Sequence, residues 1–172
     1  MERWDILNLN GEKTGRTALR GKTLLRTGEY HLVVHIWIIS SKGEFLIQRR
    51  SDTKKLMPGE WAATGGAAVS GENSYNAAHR ELMEELGINS TKASLKFIKR
   101  LKRRNSFVDV WMILSDVNAS SLNLQKSEVA SAKWVTGEQL RQMITANEFH
   151  DYGKDYWRVI FGAAEKFKGV NI

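Results

Sequence analysis

The chain has 172 residues, 42% hydrophobic and 26% charged, with 14 Gly, one Pro and no Cys. That length suits one folded domain burying roughly 70% of its unfolded surface, and the lack of cysteine excludes disulfide scaffolds, cysteine zinc sites and thiol nucleophiles. The formal charge of +7 favours an anionic partner.

In chain order, Trp4 to Leu9 alternates apolar and polar and then meets Asn10-Gly11, a hairpin signal. Residues 1–30 read as a strand and hairpin extension of a single domain spanning 1–172. His31 to Ile39 is β-branched and mostly apolar, the pattern of a strand covered on both faces. Ser40-Ser41-Lys42-Gly43 turns the chain into an alternating strand from Glu44 to Arg50, and Pro58-Gly59 marks a turn before Trp61. Asn73 to Leu86 reads as a helix stopped by Gly87. Leu95 to Leu101 and Phe107 to Leu114 suggest an antiparallel pair, Ala130 to Val135 a further strand, and Gly137 to Ala146 a helix. Tyr152 to Phe167 closes the chain as an amphipathic helix with Tyr156, Ile160 and 163–167 inward. Strands and helices mixed in this way predict an α/β sandwich.

The longest apolar stretch, Leu32 to Ile39, is broken by His35 and far short of the ~20 residues a spanning helix needs. Met1-Glu2-Arg3-Trp4-Asp5 lacks the layout of a secretion signal. With cysteine absent, a cytoplasmic location without membrane partners is expected.

The predicted helix over 73–86 carries an unusual charge pattern. On a wheel turning about 100° per residue, Glu84 falls about 60° to one side of Glu81 and Glu85 about 40° to the other. Ala78, Leu82, Tyr75, Leu86 and Met83 form a separate apolar flank, and Arg80 sits at the opposite margin. Like charges three or four residues apart destabilise a helix, so three glutamates with no base among them point to a divalent cation with hard oxygen ligands, Mg²⁺ or Mn²⁺. A solvated acidic face is the alternative.

The segment around those glutamates is more specific. Gly66 is followed after five residues by Glu72, then after seven by Arg80-Glu81-Leu82-Met83-Glu84-Glu85-Leu86-Gly87-Ile88. This resembles the signature of the Nudix (MutT-like) hydrolases, from Gly66 to Ile88, with every fixed residue matched. The resemblance implies a Nudix-type α/β/α sandwich with a mixed sheet, in which a loop-helix-loop binds metal and the enzyme hydrolyses a nucleoside diphosphate or related organic diphosphate by water attack. Carried over by position, Glu81, Glu84 and Glu85 would ligate Mg²⁺ or Mn²⁺, together with the carbonyl of Gly65. Gly66, Glu72 and Gly87 would be structural, and Arg80 either sets the loop or touches phosphate. The proton acceptor would be Glu85 or Glu84, with Glu128 as a second choice. Relatives often pair, which leaves a homodimer open.

Substrate contacts read less sharply. Arg49, Arg50, Lys54 and Lys55 precede the Pro58-Gly59 turn and suit phosphate or a leaving group, or are plain surface residues. Trp61 either stacks a base or packs in the core. Lys96, Lys99, Arg100, Lys102, Arg103 and Arg104 form a basic run, read as a solvated strand face with steering of polyphosphate or RNA as the alternative. His31, His35, His79 and His150 lack metal-ligand spacing and read as structural.

Glu2-x-Trp4-Asp5-Ile6, Gly28-Glu29-Tyr30-His31 and Leu46-Ile47-Gln48-Arg49-Arg50-Ser51 resemble the Nudix branch that includes isopentenyl-diphosphate isomerase. That chemistry depends on a cysteine this chain lacks, so hydrolysis is expected. The competing readings are a catalytically silent Nudix-fold protein that binds nucleotide or RNA, and an isomerase working without cysteine. The expected partner is a small-molecule diphosphate rather than nucleic acid.

Overall fold

The computed structural model describes residues 2–91 and 94–167. Its elements are β1 (Arg3–Leu7), β2 (Lys13–Leu19), β3 (His31–Ile39), β4 (Phe45–Arg50), β5 (Trp61–Ala62), β6 (Thr64–Ala67), α1 (Ser74–Leu86), β7 (Lys96–Lys102), β8 (Ser106–Leu114), β9 (Val129–Val135), α2 (Gly137–Thr145) and α3 (Lys154–Phe167). The predicted elements are present, with ends moved by a residue or two. Two changes carry information. Tyr152 stays outside α3, because Asp151 Oδ1 accepts the Gly153 N–H at 2.7 Å in a turn that precedes the helix. Within α3, Trp157 joins Tyr156 and Ile160 in the core while Glu165 and Lys166 are exposed.

β3 is the spine of a mixed sheet. It runs parallel to β8 along its whole length, from His31↔Ser106 to Ile39↔Leu114. Its other edge is shared: β4 pairs only at Ile38 and Ile39, whereas β6 pairs from Val33 to Ile36. The β3–β4 hairpin therefore opens as it leaves its turn, and Trp61 to Ala67 fills the gap, β5 against β4 and β6 against β3. β9 covers the far edge of β4, and β7 covers β8. The sequence reading did not anticipate β5 and β6, since Thr64-Gly65-Gly66 has little β-propensity.

Alternation along β3 builds two cores, as a fully buried strand requires. Val34, Ile36 and Ile38 pack with Ala77, Ala78, Leu82 and Leu86 of α1. Trp37 and Ile39 pack with Phe45, Leu140, Tyr156, Trp157 and Ile160 on the face covered by α2 and α3. The result is the expected α/β sandwich. Met83 leaves the predicted apolar flank and is exposed, while Glu85 takes a buried place on the helix.

β1 and β2 form a separate two-stranded sheet. It is tied on by reciprocal bonds between Leu7 and Tyr30, at 2.7 and 3.0 Å, and by Ser70 N to Arg3 O at 2.8 Å. Among the described residues no helix is long and apolar enough to cross a membrane.

Candidate active site

The site begins with a close backbone approach. Gly65 has φ of 150°, and a Cβ there would run into the Val34 carbonyl of the paired strand. At Gly66 a Cβ would meet the Glu81 carboxylate. Two glycines thus let β6 lie flat between β3 and the carboxylates of α1. Asn73 Oδ1 accepts the Asn76 N–H at 2.8 Å to start α1, and Gly87 ends it, its N–H bonded to Met83 O at 2.9 Å.

Arg80 organises the loop between β6 and α1. Its Nε and Nη2 hold both oxygens of Glu72, at 2.7 and 3.0 Å, and Nη2 also reaches Ala67 O at 3.1 Å. Nη1 turns to Glu81 at 2.9 Å and Glu84 at 3.1 Å. Glu72 Oε2 in turn accepts the Val69 N–H at 2.9 Å. Bonds to Arg80 and Val69 hold the Glu72 carboxyl below its usual range against the opposing effect of burial, and Glu72 raises the guanidinium's affinity for its proton further. This corrects the wheel picture: Arg80 does not stay at the helix margin but folds across Glu81 and Glu84. All its donor groups are engaged with the protein's own oxygens.

Glu85 is 3% exposed. Its Oε2 accepts from Gln48 Nε2 at 2.9 Å and from the Gly65 N–H at 3.0 Å, while Oε1 has no hydrogen bond among the described residues. Burial, and then the charge of Glu81, push this carboxyl up to about 8, against the two hydrogen bonds. Glu81 is also raised by burial, with Arg80 opposing. Glu84 is the exposed member of the set.

A cavity of about 710 Å³ opens over these groups. Gly65, Gly66, Arg80, Glu81, Glu84 and Glu85 form one wall; Arg50, Lys54, Leu56, Met57, Gln125 and Glu128 form another. The N-terminal hairpin supplies a third, with Glu2, Trp4, Arg20 and the 23–25 loop, and His31, His35 and Tyr152 line the cavity as well. Trp4 stacks on His31, with centroids 4.1 Å apart and planes 11° apart. Burial pulls His31 down to about 4 and His35 down to about 3, so both are neutral near pH 7.

The structure places the other sequence candidates as follows. Arg50 lines the cavity and donates from Nε to Leu56 O at 3.2 Å. Glu128 lines it too, in an ion pair with Lys54. Arg49 is engaged with Asp52 at 2.9 Å and Gly59 O at 3.1 Å, outside the lining. Lys55 is exposed and also outside the lining. Trp61 packs against the α2/α3 core beneath the ammonium of Lys133, 4.3 Å from the ring centroid. Gln48, Trp4, His31, His35 and Tyr152 were not singled out as site residues. Gln48 and His35 do interrupt strands that are otherwise apolar inward, and that was the available signal.

Among the described residues no three His, Asp or Glu side chains already converge as a cation cage; Arg80 supplies the local positive charge. The donor set nevertheless fits a hard divalent ion. Glu85 keeps a free oxygen and its buried carboxyl has only neutral partners, and Gly66 leaves room for backbone approach. Glu81, Glu84, Glu85 and the Gly65 carbonyl are the residues that would hold it.

Comparison with known proteins gives a consistent result. The NUDIX domain family matches residues 29–155. A Nudix hydrolase of Listeria monocytogenes is 43% identical over 157 residues, covering 88% of this chain and 90% of the relative. The Escherichia coli Nudix hydrolase YfcD is 32% identical over 143 residues, covering 79% and 74%. Among solved structures, the Deinococcus radiodurans protein DR0079 superposes with a TM-score of 0.78 at 28% identity, covering 94% of this chain and 98% of that one.

Proposed function

We propose, from the premise that this chain belongs to the Nudix family and is a diphosphate hydrolase of it, that it uses Mg²⁺ or Mn²⁺ to cleave the diphosphate linkage of a nucleoside diphosphate or related organic diphosphate. The observation that carries this reading is the Glu85 carboxyl at the cavity wall, bonded through Oε2 to Gln48 and the Gly65 N–H, left with one unbonded oxygen, and raised by burial and then by the charge of Glu81.

Hydrolysis of a diphosphate asks for charge neutralisation and alignment of water with the scissile bond. A bound divalent ion would supply Lewis-acid stabilisation of the departing phosphate at Glu81, Glu84, Glu85 and the Gly65 carbonyl. The protein's own groups do the rest. Arg80 and Glu72 fix the β6–α1 loop, so the carboxylates keep their spacing. Arg50 and Lys54 line the cavity on another wall and face the substrate's anionic oxygens. Gln48 and the Gly65 N–H orient Glu85 through Oε2, and the proton of the attacking water goes to Glu85 or Glu84, whichever carboxylate keeps an oxygen that the ion does not take. Glu128 is paired with Lys54 and ranks behind these two.

The test is a panel of organic diphosphates incubated with Mg²⁺ or Mn²⁺ and read as phosphate or nucleotide release. Turnover that vanishes with chelator and in Glu85→Gln supports the reading. Turnover unaffected by both sinks it.

A further inference from the structure

Behind the cavity wall runs a short chain of hydrogen bonds. Trp37 Nε1 donates to Tyr156 Oη at 2.8 Å, and Tyr156 Oη lies 2.8 Å from His35 Nδ1. An indole N–H can only donate, so Tyr156 accepts there. The tyrosine's own proton then goes to His35 Nδ1, its remaining partner among the described residues. Trp37 and Tyr156 are buried in the aromatic core with Tyr152 and Trp157 packed around them, so water does not compete for these bonds. A histidine that accepts at Nδ1 carries its proton at Nε2.

His35 lines the cavity and is partly exposed there, and its Nε2 has no protein partner among the described residues. Its strand register places it opposite Gly65, the residue whose N–H holds Glu85. His35 has the parity of Trp37 and points to the α3 side of the sheet, toward Tyr156, whereas Glu85 belongs to α1 on the other side; the two meet at the cavity that both line, where one bound diphosphate can touch both.

We propose that His35 is a substrate-contacting residue: its Nε2–H, fixed in that tautomer by Trp37 and Tyr156, donates a hydrogen bond to a phosphate oxygen of the bound diphosphate. The inference rests on the diphosphate-hydrolase reading above. Such a donor adds directionality without adding charge. Tyr156 is a positioning residue in this scheme, acting only through the ring it orients.

Long-range proton–nitrogen NMR of the imidazoles tests it, with methylenediphosphonate and Mg²⁺ as the probe. His35 is expected to be protonated at Nε2 alone before the probe is added, and both the Nε2 resonance and the Gly65 amide shift on saturation. In kinetics with any cleaved diphosphate, His35→Ala raises KM roughly 10- to 100-fold with a smaller change in kcat. His35→Gln, whose amide can accept from Tyr156 and still donate, recovers most of that loss. Protonation at Nδ1, an unmoved Nε2 while the Gly65 amide shifts, or an unchanged KM in His35→Ala overturns the proposal. If neither resonance responds to the probe, the diphosphate reading fails and this proposal falls with it. The spectra are read on the wild-type protein, so they decide even if the alanine variant does not fold.

Discussion

Gln48 Nε2 donates to Glu85 Oε2 at 2.9 Å, joining the inner edge of β4 to the last turn of α1. The partner is a neutral amide, so the burial of this carboxyl is not balanced by positive charge. Its proton affinity rises from the ordinary 4.5 to about 8. Between those values the folded chain holds a proton that the unfolded chain has released. Metal-free stability should therefore fall as pH rises through this window, by about 1.4 kcal/mol per pH unit at most. Chelator-treated wild type and Glu85→Gln, melted at several pH values from about 5 to about 8, should diverge, the variant becoming the more stable at the alkaline end. Parallel curves would show that Glu85 is ionised without cost.

Arg80 occupies Glu72, Ala67, Glu81 and Glu84 at once. A lysine offers a point charge and cannot reproduce that fork. Arg80→Lys should destabilise the protein by about 1–3 kcal/mol in denaturant melts and lower kcat more than it raises KM, because carboxylate spacing is what it sets. A variant with wild-type kcat would show that the loop keeps its shape without the fork.

The Val34 carbonyl leaves no room for a side chain at Gly65. Gly65→Ala should cost at least about 2 kcal/mol, since β6 must separate from β3 or Val34 must move. Amide exchange is the direct measurement: Val34 and Ile36 should lose protection while β7–β8 keeps it. Unchanged protection would mean that β6 can shift cheaply.

Arg100 and Asp109 form an asymmetric pair. Nε and Nη2 of Arg100 reach the two Asp109 oxygens at 2.7 and 2.8 Å, and the aspartate is 1% exposed whereas the arginine side chain is 38% exposed. Removing the arginine strands a buried carboxylate; removing the aspartate leaves a cation that can reach water. Arg100→Ala should cost about 3–5 kcal/mol and Asp109→Ala distinctly less than the unpaired-charge penalty alone would suggest. Equal losses in urea melts would contradict the asymmetry.

What the sequence made legible follows from how local each signal is. Helix α1 and its glutamates were readable because period, caps and the Gly66 to Ile88 spacing all lie within one short segment. Arg80's fold across Glu81 and Glu84 was not, since a wheel gives the direction of a Cβ and not where a long side chain ends. β5 and β6 were invisible because their strand state comes from the opening between β3 and β4, not from the preferences of Thr64-Gly65-Gly66. His35 and Gln48 stood out as polar residues in apolar strands, yet their partners, Tyr156 and Glu85, are 121 and 37 residues away. Asp109 went unremarked inside an apolar run, and its partner Arg100 looked like one member of a solvated basic face.

The outer wall of the cavity comes from a hairpin that shares no strand with the main sheet. Its strand β1 is nonetheless fastened to the loop that leads into α1, with Arg3 O accepting from Ser70 N and the Asp5 carboxylate accepting from Ser70 Oγ and Gly71 N, whereas Leu24 lines the cavity with an exposed side chain. Laboratory retargeting should therefore begin at Leu24 and leave Arg3 and Asp5 in place.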